Sequence, residues 1–133
     1  MTIQSQCAEA IVLSGTVASY FENFNRADYQ AVAALFGTDG SLHPPFKEPI
    51  VGPMAIAHYL AQEASGMQAM PTNSQTTVLA EGSRKITVKG RVKTPLFTVN
   101  VQWIFALTAE HSLQRVDIKL LASLQDLLQL NQG

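Results

Sequence analysis

A chain of 133 residues has the usual length of one domain and can bury a real core, whereas two domains would each be marginal. Its net charge of -1 gives no electrostatic reason to bind nucleic acid or an anionic membrane surface. Only 14% of residues are charged while 47% are hydrophobic, against roughly 25% charged in an average soluble domain. Either a ligand or a second copy covers apolar surface, or the surface is polar but uncharged, built from the plentiful Ser, Thr, Asn and Gln.

Cys7 is the only cysteine, so an internal disulfide and a cysteine-rich metal site are both excluded. It reads as an inert residue in a frayed N-terminus (residues 1–7), or as a thiol able to cross-link two copies. The first basic residue is Arg26, so no secretory signal is recognisable. No apolar run approaches the roughly 20 residues that span a bilayer, and the expectation is a cytoplasmic protein.

From Ala8 a helical pattern runs to about Asn25, with Leu13, Val17, Tyr20 and Phe24 on one stripe. Tyr20 therefore faces inward. Asp28 is placed to cap a second helix, Tyr29 to Phe36, ended by Gly37. Asp39-Gly40 signals a turn, followed by a short strand, Ser41 to His43, broken by Pro44-Pro45. Gly52-Pro53 opens a third helix to about Ala64, with proline where a missing N–H costs nothing. Ile56, Leu60 and Tyr59 point inward from it.

The period then changes from 3.6 to 2. A strand is expected at about Gln75 to Ala80. Arg84 to Lys93 alternates, with Ile86, Val88 and Val92 on one face and Lys85, Thr87, Lys89, Arg91 and Lys93 on a wet one. Pro95 limits it. Val99, Val101, Trp103, Phe105 and Leu107 share the next inward face, and Val116, Ile118 and Leu120 the last. Ser123 caps a terminal helix to Leu130. Helices followed by a mostly antiparallel meander with one apolar face predict an α+β domain, residues 1–133, resembling the NTF2-like cone with a C-terminal helical tail (residues 123–133).

Such a cone encloses a pocket, and proton-shuttling chemistry would need an acid or base inside it. Asp117 falls on the outward parity, Asp39 in a turn, Glu63 at a helix end, and His58 and His111 where exposure is easiest. His43 precedes two prolines. The histidines show no metal-ligand spacing. Lys85 to Lys93 reads as a solvated face without interleaved aromatics. Tyr20 and Trp103 each carry one ring donor into the interior, either as core packing or as a pair aimed at one ligand acceptor.

The segments Leu42-His43-Pro44-Pro45-Phe46, Pro49-Ile50-Val51-Gly52, Lys89-Gly90-Arg91-Val92-Lys93-Thr94-Pro95, Asn100-Val101-Gln102-Trp103 and Leu120-Leu121-Ala122-Ser123 resemble the C-terminal domain of the orange carotenoid proteins. They are closer still to the stand-alone C-terminal domain-like carotenoid proteins. The similarity runs from Ala18 to Leu130. It implies a ketocarotenoid of the canthaxanthin or echinenone type, its keto oxygen hydrogen-bonded by Tyr20 and Trp103. Met67, Ala69, Leu96, Phe97, Phe105, Ile118 and Leu120 match the family's pocket lining, with Leu96 standing where tryptophan is common. Glu63 matches a glutamate that pairs with the family's helical domain, so light-triggered quenching, which needs both domains, is not implied. A non-enzymatic carrier is expected: a homodimer sharing one pigment, transferring it to helical carotenoid proteins, and quenching singlet oxygen through the pigment. Transient membrane contact for pigment uptake belongs to the same expectation. A stiff rod supports the dimer, because a domain with a radius of gyration near ~14 Å covers only about half of it. The rival is an NTF2-like isomerase or cyclase using Asp39 or His43.

Overall fold

The computed structural model describes Leu13 and residues 15–121. The expected terminal helix, Ser123 to Leu130, lies outside them. Helix α1 spans Gly15–Asn25, α2 Tyr29–Ala33 and α3 Pro53–Glu63. The strands are β1 Phe36–His43, β2 Ile50–Val51, β3 Gln68–Val78, β4 Arg84–Lys93, β5 Thr98–Leu107 and β6 Leu113–Leu121. They form one mixed sheet in the order β2-β1-β6-β5-β4-β3, with the helices on one face. β3 to β6 are an antiparallel meander, and β1 closes its far side by running parallel to β6. This is the expected α+β architecture.

Local chemistry accounts for most boundaries. The Asp28 carboxylate accepts from the Ala31 N–H, 3.2 Å, and starts α2. Pro53 occupies the first turn of α3 behind Gly52, whose φ of 92° is left-handed. The stripe predicted for α1 is buried at Val17, Tyr20 and Phe24, with Phe21 beside it. Those side chains meet Val101, Trp103, Phe105 and Val116 in one core.

Three expectations fail. α2 ends at Ala33 rather than Phe36, because Phe36 is buried as the first residue of β1. Asp39-Gly40 is not a chain reversal but part of β1, where the pairing with β6 slips between Phe36 and Ser41. A Cβ on Gly40 would stand 2.7 Å from the Leu113 carbonyl, so glycine is there to let β1 bulge against β6. β3 begins at Gln68, seven residues before the expected start, and only Ala69 in it is buried. Its polar run, Thr72 to Thr77, is an exposed edge strand, which carries no alternation to read.

Asn25 ties the end of α1 to that edge strand. Its side-chain amide donates to the Ala69 carbonyl, 2.9 Å, and its side-chain oxygen accepts from the Ala69 N–H, 2.7 Å. The pair extends the sheet by one side chain and fixes Met67 and Ala69 beside the core. Replacing Asn25 by Ala is expected to lower stability in urea denaturation by about 1–3 kcal/mol, the worth of two partly buried hydrogen bonds.

Candidate ligand-binding site

Between the helices and the inner face of the sheet lies a cavity of about 250 Å³. Its walls are Tyr20 and Phe24 from α1, Tyr59 and Leu60 from α3, Val101 and Trp103 from β5, and Ile118 and Leu120 from β6. Pro44 and Pro45, Met67, and Thr94 with Phe97 also line it. Strand parity explains the composition: on β5 and β6 the inward positions are uniformly apolar, so the concavity they cover has almost no polar wall.

Aromatic packing fixes the inner end. The Tyr20 ring stands edge-on to Phe105 at 5.0 Å and to Phe21 at 5.3 Å, and Phe21 stands edge-on to Trp103 at 4.8 Å. Tyr20 is 1% exposed and Trp103 3%. The Tyr20 hydroxyl is buried with no hydrogen-bond partner among the described residues. Burial, and secondarily the neighbouring Tyr59, push the Tyr20 phenol above its ordinary value of 10.0. Burial followed by Glu63 does the same to Tyr59. A neutral O–H without an acceptor, in an apolar cavity, fits a ligand that brings an acceptor atom and little other polarity.

Of the residues singled out in the sequence, Tyr20, Trp103, Met67, Phe97, Ile118 and Leu120 border this cavity. Ala69 and Phe105 do not: Ala69 is buried beside Asn25, and Phe105 lies fully buried behind the Tyr20 ring. Leu96 is 88% exposed, at the tip of the β4–β5 hairpin. There the Thr94 hydroxyl accepts from the Leu96 and Phe97 N–H groups and donates to the Phe97 carbonyl, so the turn turns Leu96 outward. Tyr59 and Glu63, one turn apart on α3, also border the cavity. Tyr59 was expected inside from helical spacing, but nothing in the sequence places the Glu63 carboxylate at the margin.

Of the acids and bases weighed for proton-shuttling chemistry, Glu63 borders the cavity and the others sit elsewhere. Asp39, His58 and His111 are exposed. His43 pairs with the Ser41 hydroxyl, 2.9 Å, and Asp117 forms a two-pronged ion pair with Arg115 at 2.8 and 3.0 Å. None of these borders the cavity.

The Nuclear transport factor 2 (NTF2) domain matches residues 12–118, and the chain belongs to that family. Within it the chain is similar to the orange carotenoid-binding protein of Synechocystis sp., 36% identical over 121 residues, and to that of Limnospira maxima, 35% identical over 123. It spans about two fifths of those relatives' length, 38% and 39%, while 88% and 90% of this chain is covered. The orange carotenoid protein of Anabaena (Nostoc) sp. binding canthaxanthin superposes with a TM-score of 0.81 at 32% identity, over 96% of this chain and 43% of that one. An epoxide hydrolase/cyclase-like enzyme of salinomycin pyran-ring formation shares the fold, TM-score 0.61 at 18% identity.

A satisfied buried tyrosine loses stability when its hydroxyl is removed; an unpartnered one does not. In pigment-free protein, Tyr20→Phe is expected to leave the urea unfolding free energy unchanged or to raise it by about 1 kcal/mol. The raised phenol also contributes stability that is intact below pH 10.0 and is lost as pH climbs above it. Unfolding measured across the alkaline range should therefore show a shallower decline in Tyr20→Phe than in the unaltered chain.

Proposed function

We propose that the chain is a non-enzymatic carrier that holds the keto end of a carotenoid in the cavity, with Tyr20 and Trp103 as donors to the keto oxygen. The observation that carries this reading is the Tyr20 hydroxyl, buried and unpartnered in an apolar cavity. The indole N–H of Trp103 only donates, so an acceptor at the ligand's end suits both residues. Likeness to orange carotenoid proteins, one of them described as binding canthaxanthin, favours canthaxanthin or echinenone.

The cavity size bears on assembly. Pockets enclosing drug-sized ligands run to about 300–1,000 Å³, and about 250 Å³ is room for one end of a pigment. The remainder would leave past Phe97 and Leu120 and face water, unless a second copy met the first rim to rim. The carrier is therefore read as a homodimer sharing one pigment and transferring it to helical carotenoid proteins in the cytoplasm. Among the described residues no helix is long and apolar enough to cross a membrane. When bound, the pigment supplies singlet-oxygen quenching; the protein's part is to orient it and exclude water.

Expression in cells that make canthaxanthin should yield a coloured protein, its absorption red-shifted from that of the free pigment. Tyr20→Phe and Trp103→Phe should each move the band back toward the free-pigment position, read by visible spectroscopy. Colourless protein from pigment-rich cells overturns the carrier reading.

A further inference from the structure

The donors proposed for the keto oxygen do not by themselves choose a ketone. A carboxylate is a stronger acceptor than a neutral carbonyl, so an O–H and an indole N–H in an apolar cavity suit the head of a fatty acid as readily. Charge is what the wall sets against that. Among the described residues lining the cavity there is no lysine, arginine or histidine, and Glu63 is the one charged side chain. Lys93 follows Val92 and Lys119 lies between Ile118 and Leu120, three residues that border the cavity. Strand alternation therefore turns both lysines to the outer face, where they are exposed. Lys47, in the loop beyond Pro45, is exposed beside Glu48.

Glu63 is the last residue of α3, and the structure of that helix does not account for it. A carboxylate in the last turn opposes the helix dipole. Among the described residues it makes no ion pair. Its backbone is nevertheless held firmly: the next residue, Ala64, donates its N–H to the Leu60 carbonyl, 2.8 Å, and its carbonyl accepts from the Tyr29 hydroxyl, 3.0 Å. The charge is felt along the wall. After burial, Glu63 is what raises the Tyr59 phenol, and Tyr59 in turn adds to the effect of burial on Tyr20.

We propose that Glu63 is a specificity-determining residue of the cavity: its carboxylate turns away apolar rods that carry a carboxylate of their own, such as fatty acids and acids cut from carotenoids, and leaves neutral ketones as the class admitted. A carboxylate entering head first would be buried with no cation to balance it. One left at the margin, with its tail inside, would face Glu63. The inference rests on the carrier reading, which supplies the neutral ligand, but its test needs no pigment.

Trp103 is the only tryptophan in the chain and borders the cavity, so quenching of its emission by a bound polyene reports this site. The probes are 4-oxoretinoic acid and its methyl ester, which share a keto ring and a polyene and differ by one charge. For the full, pigment-free chain at low salt, the ester is expected to bind about fivefold more tightly than the acid, the size of an exposed charge–charge interaction. Glu63→Gln should bring the ester-to-acid ratio close to one, whereas Glu63→Asp should preserve it. Salt at about 0.5 M should narrow the ratio in the unaltered chain by screening, a response that a merely structural role for Glu63 would not give. Equal affinities, a ratio that survives Glu63→Gln or ignores salt, or no quenching by the ester would each overturn the proposal. Colourless protein from canthaxanthin-making cells overturns the carrier reading instead, and a ratio lost in Glu63→Gln would stand beside that result.

Discussion

The Tyr20 ring packs against Phe21, Phe24 and Phe105, and its buried hydroxyl finds no acceptor among the described residues. A buried donor left in that state costs about 1–3 kcal/mol, so the structure around it must hold the ring where it would not settle by choice. The aromatic cage does this. Phe21 bridges Tyr20 to Trp103, which fixes both rings relative to the sheet, and Val17 and Val116 are buried in the same core. The remaining construction serves that cage: Asn25 fastens the end of α1 to β3, and the Tyr29 hydroxyl donates to the Ala64 carbonyl, 3.0 Å, fastening α2 to the end of α3. The helices are thus held at a separation that leaves the cavity open instead of collapsing onto the sheet.

The same sheet separates two chemistries by parity. Inward positions of β5 and β6 are apolar and form the cavity wall; outward positions collect cations. A chain with a net charge of -1 thereby presents one strongly positive face, and its negative charge lies elsewhere. Low overall charge and high hydrophobicity admitted two explanations in the sequence, a covered apolar area or an uncharged polar surface. The structure shows the second, in the edge strand β3 dressed in Thr, Asn, Ser and Gln, and it leaves Phe46 and Leu96 almost fully exposed at the rim.

Much of the fold was legible because period-2 and period-3.6 patterns survive wherever one face is buried. β4 was read to the residue, and the stripe on α1 placed Tyr20 inside. The failures share one physical cause, which is that local signals do not report pairing. Asp39-Gly40 looks like a turn, yet the glycine serves a bulge against Leu113, a partner more than seventy residues away. β3 has no buried face for most of its length and so no alternation to find. The site divides likewise. Tyr20 and Trp103 were legible from spacing, whereas the positions of Leu96 outside and Glu63 at the margin depend on a hairpin turn and a helix end.

Related folds carry enzymes, and this cavity can be set against what their chemistry asks for. Acid–base catalysis asks for a group that changes charge inside the site with a pKa near the working pH. Here burial pushes the enclosed phenol of Tyr20 above 10.0, away from that range, and the carboxylate of Asp117 is held by Arg115 on the other side of the sheet. Glu63 stands at the margin, beside Tyr59 and away from the aromatic cage. An O–H that keeps its proton is a poor proton shuttle but a durable hydrogen-bond donor, and an indole N–H has no other role. On the proposed carrier reading, two donors in an apolar enclosure would discriminate by polarity at a single atom: a hydrocarbon end would leave Tyr20 unpartnered, while a carbonyl would relieve it. On that reading, selectivity for a keto end group over a plain ring would come from the very group whose burial is otherwise unfavourable.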